Sequence, residues 1–231
     1  MSGLNWNKRR PIYEPWYARL DRDPFARDAS KIIRHGVQPS AAKPAKPARP
    51  KQPAKTAIKP FLMATGAFAG KPKLRTSDAV KAREALARVA EARIWCDGGC
   101  APTNPGTVGM GAVILAEGIR VELFGGGWRG TNNAAELAAA ILALEALPYG
   151  CPATVVADSQ YLVNGMLKWR HGWRQRDFKR DGGDIPNADR WRKLDALAQR
   201  GSLKWVWQRG HCGEPGNELA DRLAALGRGC A

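Results

Sequence analysis

"RIWCDGGCAPTNPGTVGMGAVILAEGIRVELFGGGWRGTNNAAEL", residues 93–137, is the passage on which the fold turns. Three apolar runs, 93–99, 109–117 and 119–127, read as strands separated by turn residues, with Glu117 and Gly118 in a tight turn between the last two. "TNNAAELAAAILALEAL" (131–147) then reads as a helix. Working outward, "ATVVAD" (153–158) is a buried strand. "SQYLVNGMLKW" (159–169) and "NADRWRKLDALAQR" (187–200) are helical. "SLKWVWQ" (202–208) is a strand and "GNELADRLAALG" (216–227) a last helix. Three meandering strands followed by right-handed crossovers predict an α/β fold. Its mixed five-stranded sheet has three antiparallel strands, then two parallel ones, with helices on its faces.

The chain has 231 residues, 44% of them hydrophobic, enough for one sizeable core plus an appendage. Five cysteines without a C-x-x-C pair argue against a disulfide framework or a zinc site and favour a reducing, cytoplasmic setting. No run of eighteen apolar residues predicts a membrane span, and "MSGLNWNKRRPIYEPW" lacks the apolar core of a signal peptide. The net charge of +16 is uneven: residues 1–92 hold 20 Lys/Arg against 7 Asp/Glu, residues 93–231 hold 17 against 14. Such a basic front part points to a polyanion partner, nucleic acid ahead of an acidic membrane.

Four segments are expected. Residues 1–38 form an N-terminal segment, mostly disordered when alone. Residues 39–76 form a Lys/Pro/Ala-rich cationic linker, extended because its repeats can neither hold a helix nor bury a core. Within it, "FLMATGAFAG" (61–70) is apolar but too short to span a bilayer. Residues 77–92 form an amphipathic helix with Ser77 and Asp78 as caps, and 93–231 the packed domain.

Asp97 and Asp158 end the first and fourth strands of that domain. If those strands are parallel neighbours, both carboxylates emerge at the sheet edge where open α/β sheets bind ligands. Glu136 and Asp221 lie in helices, where each alone reads as a solvated charge. His211, in the glycine-rich loop "RGHCGEPG", alone reads as a surface residue. Gathered together, the carboxylates could not all stay ionised without compensation, and hard divalent cations on oxygen ligands supply it, Mg²⁺ or Mn²⁺. Two such ions about 3.5–4 Å apart can activate water and stabilise the leaving oxygen of a phosphodiester.

"CDGG", "TNNAAEL", "ADSQY" and "RGHCGEPGNELAD", in this order and spacing, resemble type 1 ribonuclease H over about residues 93–228. The resemblance implies the ribonuclease H fold and endonucleolytic cleavage of the RNA strand of RNA–DNA hybrids by two-metal-ion catalysis, with Mg²⁺ as cofactor and Mn²⁺ as a substitute. By the same resemblance, Asp97, Glu136, Asp158 and Asp221 are metal ligands, and His211 is a mobile loop histidine that assists proton transfer or product release. Asn104, Asn132 and Gln160 read 2′-hydroxyls in the groove, with Asn133 nearby, and Arg129, Thr131 and Asn187 grip a DNA phosphate. Asn104-Pro105-Gly106 also reads as an ordinary turn, and Asn132 as a helix cap. Gly99 stands where the family often has Ser, and the following loop is one residue longer than usual.

"KWRHGWRQRDFKR" (168–180) sets six Lys/Arg against one Asp, interleaved with Trp169, Trp173 and Phe178. It reads either as an amphipathic helix with its tryptophans inward or as a phosphate-binding protrusion, the second resembling the family's basic protrusion. Trp169, Trp173, Arg174 and Arg176 are its candidate contacts, whereas Trp191, Trp205 and Trp207 read as core or strand residues. The expected partners are the hybrid and, through the basic N-terminal region, nucleic acid without sequence preference. No membrane partner is expected, and the chain is expected to be a monomer. Three rivals remain: a non-catalytic hybrid-binding module on the same fold, a docking protein acting through its tail, and a DNA-directed nuclease.

Overall fold

A computed structural model describes Phe68, Gly70 and residues 74–230. The expectations for residues 1–38 and for most of the linker lie outside the described residues.

The sheet has six strands rather than five: β1 (Leu74–Thr76), β2 (Ala92–Ala101), β3 (Gly106–Ala116), β4 (Ile119–Gly130), β5 (Ala153–Ala157) and β8 (Leu203–Trp207). Their order is β1-β4-β3-β2-β5-β8. The β2-β3-β4 meander is antiparallel and β5 and β8 add in parallel, as expected. The sixth strand, β1, pairs parallel to β4 with Leu74 opposite Val121. It falls inside the stretch read as linker, because three residues are too few for periodicity to show. A separate two-stranded ribbon, β6 (Lys179–Arg180) and β7 (Gly183–Asp184), turns at Asp181-Gly182.

The helices are α1 (Ala79–Ala85), α2 (Asn132–Glu145), α3 (Gln160–Asn164), α4 (Arg170–Gln175), α5 (Ala188–Ala198) and α6 (Pro215–Gly227), with a π-helical turn at Gly165–Trp169 joining α3 to α4. Asp78 caps α1 by accepting from the Val80 and Lys81 amides at 2.8 and 3.3 Å. The helix stops well short of residue 92. Leu86 and Val89 both turn into the core, and the Ala90 amide donates to Glu117 at 3.0 Å, which aims the chain into β2.

Alternation along the strands sorts the core onto two faces. Ile94, Cys96, Met110, Ala112 and Ile114 pack with α2 and α5, together with Trp191 and Leu194. Trp95, Val113, Leu115 and Val156 face α6 through Ala220 and Leu223. Gly109 and Gly111 admit the α6 backbone to the sheet: a β-carbon on either would lie 1.9 Å from the Ala224 carbonyl oxygen and 2.2 Å from that of Ala220, respectively. Among the described residues no helix is long and apolar enough to cross a membrane.

Candidate active site

β2 runs beside β5 only from Ala92 to Trp95, and β5 ends at Ala157. Asp97 and Asp158 therefore leave the sheet at the same edge, just past the parallel stretch. Asp97 is not the strand's last residue, because β2 continues to Ala101 against β3 alone. The first turns of α2 close over this edge because residue 98 is glycine. A β-carbon there would sit 2.3 Å from the Ala135 carbonyl carbon and 2.6 Å from the Glu136 amide nitrogen. Glu136 thus faces the two aspartates, and carboxylate oxygens of Asp97, Glu136 and Asp158 all lie within 4.8 Å of one another. Glu136 Oε2 is buried with no hydrogen-bond partner among the described residues.

Burial, followed by the charges of Asp158 and Asp221, pushes the Asp97 carboxyl up to about 6, against the opposing influence of the Gly98 amide and His211. Burial, then Asp97 and Asp158, raises Glu136 well above the ordinary carboxylate range. The buried Cys96 thiol beneath them is raised by burial first and then by Glu136, Asp97 and Asp158. Asp221, half-buried on α6, stands outside the tight triad but close enough to act on Asp97. An orphaned carboxylate oxygen in an all-oxygen, mutually repelling cluster fits a hard divalent cation.

Asp158 is held from several sides by residues to which sequence reasoning gave no role in the site. Asn217 donates from Nδ2 to Asp158 Oδ2 at 3.3 Å, and Trp207 donates from its indole to the Asp158 carbonyl at 2.9 Å. Asn217 is itself fixed by Glu214, which caps α6 and accepts from the Asn217 amide at 2.7 Å. Glu214-Pro215, a capping acid before a proline at the first helical position, was the available signal. Trp191 and Trp205 are buried as expected, while Trp207 is on its strand but 47% exposed. His211 lies exposed on the loop between β8 and α6 with φ +52°.

The RNase H family model matches residues 90–228. This chain belongs to the ribonuclease H family. A ribonuclease H of Methylorubrum extorquens is 48% identical over 135 residues, 58% of this chain and 59% of that protein. One of Nitrosospira multiformis is 47% identical over 143 residues, 62% of this chain and 90% of that protein. Among solved structures, LC9-RNase H1, a type 1 RNase H with the type 2 active-site motif, is 28% identical with a TM-score of 0.57, covering 61% of this chain and 73% of its own.

Around the carboxylates, the fold brings some of the other candidates together. Asn132 Oδ1 accepts from the Cys100 amide at 2.8 Å and the Cys100 thiol at 3.0 Å, while Asn104 Oδ1 accepts from the Asn132 amide at 3.3 Å. Cys100, unassigned from sequence, sits between the two asparagines. The helix cap is Thr131, not Asn132: its hydroxyl accepts from the Ala134 amide at 3.2 Å. Asn133, Arg129 and Gln160 are exposed, Gln160 opening α3. Asn187 precedes α5 in a left-handed conformation, φ +60°, and donates to the Tyr161 hydroxyl at 3.3 Å.

In the basic segment 168–180 the tryptophans pack inward, as the first of its two readings expects. Trp173 packs on Trp191, ring centroids 5.0 Å apart, and Trp169 on Trp173 at 5.5 Å, with Trp169 40% exposed. Arg176 is exposed. Arg174 forks onto buried Asp195 at 2.5 and 2.7 Å, so part of its donor capacity anchors the protrusion.

Proposed function

We propose that the chain hydrolyses the RNA strand of RNA–DNA hybrids with Mg²⁺ as its cofactor and Mn²⁺ as a substitute. The observation that carries this reading is the triad of Asp97, Glu136 and Asp158, with Glu136 Oε2 buried and unpartnered among the described residues. Two divalent cations, when bound, supply activation of the attacking water and charge neutralisation at the leaving oxygen. Asp97, Glu136, Asp158 and Asp221 would hold them, and the burial and mutual repulsion that raise Asp97 and Glu136 favour cation uptake over leaving the carboxylates uncompensated. His211 moves a proton at the leaving group and withdraws with its loop.

Asn104, Asn132 and Gln160 present amides that both donate to and accept from a 2′-hydroxyl, with Asn133 beside them. Arg129, Thr131 and Asn187 hold a phosphate of the DNA strand. Trp169, Trp173, Arg174 and Arg176 extend the contact along the duplex, and the basic residues ahead of Phe68 add affinity without sequence preference. The enzyme works as a cytoplasmic monomer.

The test is a panel of labelled RNA–DNA hybrid, RNA duplex, DNA duplex and single-stranded RNA, each with Mg²⁺ and with EDTA. Cleavage confined to the RNA of the hybrid and abolished by EDTA is expected. Hybrid binding without turnover would leave a binding module, and cleavage of plain DNA a DNA-directed nuclease.

A further inference from the structure

Arg190 and Trp128 are both nearly fully buried, and the Arg190 guanidinium carbon lies 4.6 Å from the centre of the Trp128 indole. Neither has a role in the site as described so far. Their positions along the chain are what make the contact informative. Trp128 immediately precedes Arg129 at the end of β4, three residues before Thr131. Arg190 lies three residues after Asn187, on the same side of the first turn of α5. The contact therefore joins the two chain segments that carry Arg129 and Thr131 on one side and Asn187 on the other.

The ring is tightly seated. Gly130 folds against it so closely that a β-carbon there would lie 2.2 Å from Trp128 Cζ3. Trp128 Nε1 has no hydrogen-bond partner among the described residues, so none of them fixes the indole through that nitrogen. A buried guanidinium on an aromatic face is held more strongly than an exposed one, because water does not compete for the cation. Asn187 itself is held in the left-handed region, where a shift of the α5 start changes the direction of its amide.

We propose that the Arg190–Trp128 pair is the positioning device of the DNA-phosphate site, keeping Arg129 and Thr131 in register with Asn187. This rests on the reading that those three residues hold a DNA phosphate. The pair touches no substrate; it sets the distance between groups that do. Loosening it weakens binding of the hybrid more than the chemical step, whose carboxylates stand on β2, just past β5, and on α2 and α6.

The test compares Arg190→Met, Arg190→Lys, Trp128→Leu, Trp128→Phe and the double variant Arg190→Met/Trp128→Leu, with Arg129→Ala and Asn187→Ala as direct probes. Steady-state kinetics on RNA–DNA hybrid are run in the full chain, at a temperature where melting curves show each variant folded. The expected result is a KM raised about tenfold in Arg190→Met and Trp128→Leu, the size of a buried cation–π contact, with kcat changed much less. Trp128→Phe and Arg190→Lys keep a ring and a cation and should recover most of that loss. The double variant should be no worse than either single one, as for two halves of one contact. Lower melting temperatures with unchanged KM would make the pair merely structural and overturn the inference. If Arg129→Ala and Asn187→Ala also leave KM unchanged, the phosphate-site reading falls with it, an outcome told apart by those two variants.

Discussion

Gly210 lies directly against the Asp158 carboxylate: a β-carbon on it would sit 2.2 Å from Asp158 Oδ2. The loop that carries His211 is thus seated on a candidate metal ligand through a residue that has no side chain. Gly210→Ala should push Asp158 or the loop aside by a fraction of an ångström to an ångström. Displacements of that size at reacting groups cost up to about a hundredfold in rate. Turnover of hybrid should therefore fall roughly ten- to a hundredfold with the melting temperature little changed. Unaltered kcat would show that the loop accommodates the methyl group without disturbing Asp158.

Asp97→Asn and Asp158→Asn should each abolish hydrolysis while preserving the fold and hybrid binding. The amide keeps the shape and removes the charge that holds a cation. Single-turnover assays over a Mg²⁺ series, with binding measured in Ca²⁺, separate the two effects. Mg²⁺-dependent turnover resembling that of the unmodified enzyme in either variant would dismiss the metal assignment.

The Asp97 carboxyl, raised from 3.8 to about 6, also makes a statement about stability. A carboxyl raised in the folded state binds protons more tightly there than in the unfolded chain, so folding stability falls as pH climbs from about 4 to about 6 and stays reduced above. The cost is on the order of 1–3 kcal/mol. In EDTA, Asp97→Asn should melt higher than the unmodified protein at pH 7, and the gap should close towards pH 4. Mg²⁺ should narrow the gap at pH 7. A gap independent of pH would mean that neither burial nor the neighbouring acids raise the carboxyl in the folded state.

His211→Ala should slow turnover without eliminating it. General acid–base assistance is worth about 10²–10⁴-fold, and at an exposed loop position water replaces part of it. The comparison is kcat across pH for both forms; superimposable profiles would show that the histidine takes no part.

Removal of residues 1–67, which hold 14 Lys/Arg against 4 Asp/Glu, should spare cleavage and hybrid selectivity but weaken binding. Every phosphate that the shortened chain leaves unneutralised lowers the salt slope by about 0.7–0.9. Binding to hybrid and to DNA duplex over a salt series should change in parallel. A loss specific to hybrid would reveal a recognition element in that region. A cut at residue 92 would be a different experiment, because Ala82 and Leu86 are fully buried in the core.

The antiparallel meander, the parallel strands after it and the α2 helix were legible from alternation and an alanine-rich helical run. Asp97 and Asp158 were legible as acids placed at the ends of apolar strands, whereas Glu136, a solvated charge when read alone, joined them only through the family resemblance. Asp221 was legible as a candidate, yet its separation from the triad is a matter of how α6 crosses the sheet on Gly109 and Gly111, which no local pattern encodes. Asn217 and Trp207 escaped notice for the same reason, since each meets Asp158 across more than forty residues of chain. Arg174 was read by its charge, and its engagement with Asp195 depends on α4 packing beside α5. The length of α1 was overestimated because amphipathic spacing continues past the point where Leu86 and Val89 turn into the core.

β1 covers the outer edge of β4, with Leu74, Arg75 and Thr76 opposite Val121, Glu122 and Leu123. Without it, the Val121–Leu123 stretch of β4 would lie at the edge of the sheet with open backbone donors and acceptors, a template for another chain to pair with. The replacement edge is only three residues long and carries Arg75, whose guanidinium is tied to Glu122 Oε2. A short charged border is a poor seed for strand addition. The few residues before α1 thus blunt that stretch of the edge, and a chain shortened beyond Thr76 should scatter more light with rising concentration than the full chain while its carboxylates remain in place.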